Sequence, residues 1–109
     1  MYARAAEFSF GAHGTEIATK ALAKFRPLVE RQPGFVSGTF LSGSEENETS
    51  GDFLSLTVWE SRKAAEAATD EISPLVEEFV KEMGYPGSTP TYHYYEVLEP
   101  REMVEDIAA

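Results

Sequence analysis

The hydrophobic and polar positions of this chain divide it into segments of two periods. Residues 52–61, Asp-Phe-Leu-Ser-Leu-Thr-Val-Trp-Glu-Ser, alternate at period two and read as a strand. Leu54, Leu56 and Val58 point to one face, and Phe53, Ser55, Thr57 and Trp59 to the other. Both faces carry large apolar side chains, so both need a cover. The Leu/Val face is assigned to the chain's own helices. The Trp59 face is left to enclose something else.

The same alternation runs through residues 2–10, with Ala6, Phe8 and Phe10 on one side and Ala3, Ala5, Glu7 and Ser9 on the other. From Glu16 to about Gln32 the period lengthens. Ile17, Ala21, Phe25 and Leu28, widened by Leu22 and Val29, make the apolar stripe of an amphipathic helix capped by Thr15, with Lys20, Lys24 and Glu30 opposite. Glu16 precedes Lys20 by four residues, the favourable order for a helical ion pair. Pro27 is an interior blemish, and Pro33-Gly34 ends the helix. Residues 35–41 form a second strand and 43–51 a polar loop. Ser61 caps a helix that runs to about Asp70. Ser73-Pro74 looks like a fresh start, which predicts a break at 71–73 and a second helical piece carrying Leu75, Val76, Phe79, Val80 and Met83. Residues 84–90 are loop, 91–98 a tyrosine-dense strand, and 99–109 an acidic tail.

Strand, helix, strand, strand, helix, strand predicts an α+β sandwich of the ferredoxin-like βαββαβ kind, one domain over residues 1–109. A sheet oily on both sides predicts a homodimer whose sheets pair through the Trp59 face, around a shared interior.

Charge narrows the partners. Nineteen acidic against nine basic residues give a formal charge of −10 with no basic run, which argues against nucleic acid and against an anionic membrane surface. Cysteine is absent, so disulfides, thiolate metal sites and a cysteine nucleophile are excluded. The N-terminus enters a strand with no apolar run of signal-peptide length, which leads to the expectation of a cytoplasmic protein. Glu45, Glu46, Glu48 and Asp52 lack the regular oxygen-ligand spacing of a calcium loop, and the two histidines stand far apart, so no metal site is expected.

Candidate chemistry follows from the faces. Glu7, among small residues on the side proposed to enclose a chamber, is suited to act as a general base on a phenol or an activated C–H, unless it reaches solvent or pairs with Arg4. His93 serves as a proton shuttle if it faces inward. The register of Tyr92-His93-Tyr94-Tyr95 leaves open whether it or the tyrosines do so. Trp59 and Phe53 offer aromatic surface, and Ser55 and Thr57 offer hydroxyls to a ligand oxygen.

Three stretches carry a family resemblance: Phe8 to Gly14 entering the first helix, Pro33-Gly34-Phe35-Val36-Ser37-Gly38 after it, and Thr57-Val58-Trp59-Glu60-Ser61 entering the second. In these, over residues 2–98, the chain resembles the antibiotic biosynthesis monooxygenase family of dimeric α/β barrels. The resemblance implies a cofactor-independent monooxygenase acting on a small aromatic or polycyclic compound, with a non-catalytic ligand-binding or stress-response barrel as the alternative. Quinone-forming members place an Asn four residues before the strand Trp, and Ser55 stands there. Haem-degrading relatives carry an Asn on the first strand where this chain has Glu7, and an iron-ligating His early in the second helical region. No His lies between Trp59 and Tyr92, so haem degradation is disfavoured.

Overall fold

The computed structural model describes residues 1–9, 14–45, 48–82 and 90–98. Its elements are β1 (Tyr2–Ser9), α1 (Gly14–Glu30), β2 (Phe35–Glu45), β3 (Glu48–Trp59), α2 (Arg62–Glu82) and β4 (Thr91–Glu96). The strands form one antiparallel sheet in the order β2-β3-β1-β4. That is the expected α+β ferredoxin-like arrangement. Phe10, Met83, the 84–89 stretch and the 99–109 tail lie outside the described residues.

The helices keep the predicted stripes. Ile17, Phe25 and Val29 of α1 are buried, and Lys20 bridges Glu16 at 3.2 Å on the exposed side. The helix starts at Gly14, one residue before the proposed Thr15 cap, and continues through Pro27. Ser61 caps α2 as expected, its Oγ accepting from the Ala64 amide at 3.1 Å. The predicted break at 71–73 is absent, because α2 runs unbroken for 21 residues through Pro74. Pro74 and Asp70 are both exposed, so the carbonyl that Pro74 cannot serve faces water. Ser73 is no cap. Its hydroxyl receives a hydrogen bond from the Tyr92 phenol at 3.1 Å. The polar loop expected at 43–51 is also largely strand, since Ser44 pairs with Thr49 and Glu45 with Glu48.

The largest correction concerns the two faces of the sheet. Trp59 and Thr57 are fully buried under the helices of the same chain, and Ser55 is 7% exposed. Trp59 packs with Phe25, Val29, Ala65, Ala68 and Ile72 in the main core, and Phe35 meets its ring edge-on at 5.4 Å. The opposite face carries Leu54, Leu56 and Val58, and Leu56 is 36% exposed. The helices therefore cover the face that was assigned to a second copy and leave bare the one that was assigned to them. Volume explains the choice: Ala65 and Ala68 on α2 leave room for an indole over the inner face.

Gly34 locks the first helix to the sheet. Its φ of 84° lies where only glycine is at ease, and its carbonyl accepts from the Glu60 amide at 2.8 Å. A Cβ here would come within 2.7 Å of the Ala64 Cβ.

Candidate active site

Strand register fixes which side chains can meet between sheet and helices. Tyr2 pairs with Trp59, Arg4 with Thr57, Ala6 with Ser55 and Phe8 with Phe53. On the other side of β1, Ala6 pairs with Tyr92 and Arg4 with Tyr94. At the Tyr2 and Trp59 level the indole is fully buried. From the level of Arg4 onward the layers part, and a cavity of about 270 Å³ runs past Ala6 and Ser55 to Phe8 and Phe53. Phe25 and Leu22 of α1, Phe40 of β2 and Ile72 of α2 complete its apolar walls. The Phe8 and Phe53 rings stack 5.9 Å apart at 23°. This volume is at the small end of ligand pockets and suits a compact, flat molecule.

The cavity carries two cations: Arg26, exposed and paired with Glu30 at 2.9 Å, and the buried Arg4. The Arg4 side chain is only 6% exposed, and Nη1 donates to Thr69 Oγ1 at 2.8 Å. Thr69 Oγ1 in turn donates to the Ala65 carbonyl at 3.0 Å and accepts from the Tyr94 phenol at 3.1 Å, so the threonine is held in place from three sides. The guanidinium carbon stands 5.8 Å from the Trp59 ring centre and 5.7 Å from that of Tyr92. Nε is buried and has no hydrogen-bond partner among the described residues. Burial pushes the guanidinium pKa down, and the Tyr92 and Tyr94 phenols pull it back up. An arginine so placed still keeps its proton. The ion pairs among the described residues are Lys20–Glu16, Arg26–Glu30 and Arg62–Glu66, all on helix surfaces, and none neutralises Arg4.

The six site residues predicted from sequence fall into three groups. Phe53 and Ser55 line the cavity. Thr57 and Trp59 share its face but lie in the packing behind Arg4. The Trp59 Nε1 donates to Thr57 Oγ1 at 2.8 Å, and the Thr57 hydroxyl is 3.5 Å from the Arg4 carbonyl. Thr57 therefore holds the indole rather than a ligand oxygen, and Trp59 acts as the wall against which Arg4 rests. Glu7 and His93 make the third group. Glu7 pairs with Leu54 and Thr91, and His93 with Ala5, so both lie on the sheet's outer face and both are exposed. The sheet separates them from the cavity, and Glu7 cannot pair with Arg4, which points the other way. The open question at the last strand is resolved with Tyr92 and Tyr94 inward and His93 and Tyr95 outward.

Tyr92 is one of the inward alternatives that the last strand leaves open, whereas Arg4 is not singled out from sequence although its signal is present. Arg4 has the parity of Ala6 and Phe8, so a lone cation sits on the greasy face of β1 with no acidic residue at that parity. Among the described residues no group of three or more His, Asp or Glu stands close enough to hold a metal ion.

No protein-family profile matches the sequence, and no curated protein matches it. Solved structures do. A candidate antibiotic biosynthesis monooxygenase from Deinococcus radiodurans superposes with a TM-score of 0.70 at 15% identity, covering 94% of this chain and 97% of the other. One of the same description from Nitrosomonas europaea gives 0.70 at 19% identity over 91% and 100%. SnoaB, a cofactor-independent oxygenase from Streptomyces nogalater, gives 0.64 at 19% identity over 92% and 97%. The chain thus has the fold of the antibiotic biosynthesis monooxygenase proteins, in keeping with the resemblance seen in its turns.

Proposed function

We propose that the cavity receives a small hydroxylated aromatic compound and that the protein oxygenates it directly with dioxygen, without a cofactor. The observation that carries this reading is the aromatic-lined cavity between sheet and helices, mostly apolar, with a few hydroxyls, the exposed and paired Arg26, and a buried cation, Arg4, at one end. The similarity in fold to a cofactor-independent oxygenase supports it. In the balanced reaction a phenol and dioxygen give a quinone and water. The electron-rich ring carbon forms a bond to one oxygen, the O–O bond breaks, and the second oxygen leaves as water with the hydrogen of that carbon and one proton from solvent, which balances the proton the hydroxyl gave up. Phe8, Phe53 and Phe40 hold the ring and keep water away, and Ser55 lies beside the path of the substrate oxygen.

Glu7 and His93 take no part in this reading, because the sheet stands between them and the ring. Oxygen uptake with a panel of hydroxylated naphthalenes tests it. Uptake is expected for at least one compound and should fall when Phe53→Trp fills the cavity, with Glu7→Gln at the parent rate. No uptake across the panel, with tight binding retained, would move the protein to the second reading, a ligand-binding barrel without catalysis. That reading draws on one specific observation: no Asp, Glu or His is among the described residues lining the cavity.

The proposal extends to assembly. Two copies pair through the outer sheet face, where Leu41, Leu54, Leu56 and Val58 lie together, and not through the Trp59 face.

A further inference from the structure

We propose that Arg4 is the anion receptor of the cavity, so that the site selects an aromatic ligand in its ionised form and takes the ligand's proton away by charge, not by a base. This rests on the reading of the cavity as an aromatic site and deepens it.

A protein with a formal charge of −10 has carboxylates to spare, yet among its described residues none is spent on this buried guanidinium. Arginine has five donors, and leaving one of them buried without an acceptor is costly. Nε itself is sealed from the cavity, so the donor left for a ligand is Nη2, which bonds to no described residue. The surroundings of Arg4 support that role over a purely structural one. The Thr69, Ala65 and Tyr94 hydrogen bonds fix Nη1 in place, while the Trp59 and Tyr92 rings hold the cation between them through their π faces and offer no counter-charge. The guanidinium is therefore preorganised but not neutralised. By strand register it stands at one end of a slot lined mainly by apolar side chains, whose other cation, Arg26, is exposed and already paired with Glu30. A planar ligand entering with its ring along Phe8 and Phe53 brings a phenolate or carboxylate oxygen to the Arg4 end. Against apolar walls of low polarisability the charge pair is stronger than in solution, and the ionised form of the ligand gains most.

The consequence bears on chemistry. A phenol that binds next to Arg4 loses its proton to bulk water as it enters, because the cation stabilises the phenolate. The ring becomes electron-rich with no acid–base residue inside the cavity, consistent with Glu7 and His93 lying outside it.

The test uses 4-nitrophenol, whose anion has its own visible absorption band, and 4-nitroanisole, its uncharged methyl ether. Binding is read by quenching of Trp59, the single tryptophan of the chain. The parent protein is expected to bind nitrophenol roughly ten- to a hundred-fold more tightly than nitroanisole, the range for a hydrogen bond to a charged partner. Bound nitrophenol should show the phenolate band at a pH where the free compound is mainly protonated. Arg4→Met should bring nitrophenol down to the level of nitroanisole, leave nitroanisole binding in place, and abolish the spectral change. Equal affinity for the two probes, or a phenolate preference that survives in Arg4→Met, overturns the assignment while the aromatic cavity stands. If neither probe binds the parent protein, the cavity reading falls and this inference with it. Should Arg4→Met fail to fold, the absorption spectrum of nitrophenol bound to the parent protein decides alone.

Discussion

At the scale of single residues, the positions that matter most are those whose polar atoms have one possible partner or none. The Trp59 indole N–H is sealed in the core, and Thr57 Oγ1 at 2.8 Å is the acceptor it reaches. Thr57→Val keeps the shape and removes the acceptor, so the buried N–H is left unsatisfied at a cost of about 1–3 kcal/mol. A urea titration should show a lower midpoint at an unchanged slope, and a variant as stable as the parent would mean that the indole has found another partner. Gly34 is limited by space and by its backbone. Gly34→Ala must adopt a positive φ and push its methyl group against Ala64, 2.7 Å away. Strain of this kind costs about 1–3 kcal/mol. The loss should be visible as a lowered thermal midpoint, because the Pro33-Gly34 turn ties α1 to the start of α2 through the Glu60 amide.

At the scale of elements, α2 shows where local signals mislead. Ser73-Pro74 has the chemistry of a helix start, but the surrounding stripe Ala65, Ala68, Thr69, Ile72 and Val76 stays on one face across it. Burial of that stripe outweighs one missing hydrogen bond, whose carbonyl is left to water on the exposed side. Pro74→Ala should therefore stabilise the protein by up to about 3 kcal/mol, the cost of an interior proline. If Ser73 were a true cap with Pro74 in the first turn, the same change would be neutral or harmful. Periodicity alone was enough to place four strands and the two helical regions, because alternation and the three-to-four spacing are set by backbone geometry. Which face of β3 turned inward was not legible from β3, since Phe53 and Trp59 compete with Leu54, Leu56 and Val58 at nearly equal hydrophobicity. The deciding information sat on the opposing helix, where Ala65 and Ala68 make a recess that an indole fills. The site suffered the same fate. Phe53 and Ser55 do share the Trp59 side, whereas Glu7 and His93 lie on the opposite one, and Arg4 enters the sequence reading only as a possible partner of Glu7.

At the scale of the whole molecule, the inversion relocates the surface on which two copies would meet. The outer face of the sheet presents Leu41 at 47% exposure, Leu56 at 36% and Tyr95 at 56%, with Leu54 and Val58 between them. Contiguous apolar surface on an inner strand is unusual where it stays wet. Leu56 lies on β3, between β2 and β1, and so near the middle of that face. Leu56→Glu would set a carboxylate from each copy into a desolvated seam, in a chain already at −10, and each uncompensated charge there is heavily penalised. Sedimentation equilibrium at micromolar concentration should give twice the 12.0 kDa chain mass for the parent and the single mass for Leu56→Glu. The parent at single mass would end the pairing proposal. Because the cavity lies across the sheet from Leu56, nitroanisole should bind the variant as it binds the parent. Loss of binding along with the dimer would show that the slot depends on the second copy for its shape, and that one chain's residues are not enough to form it.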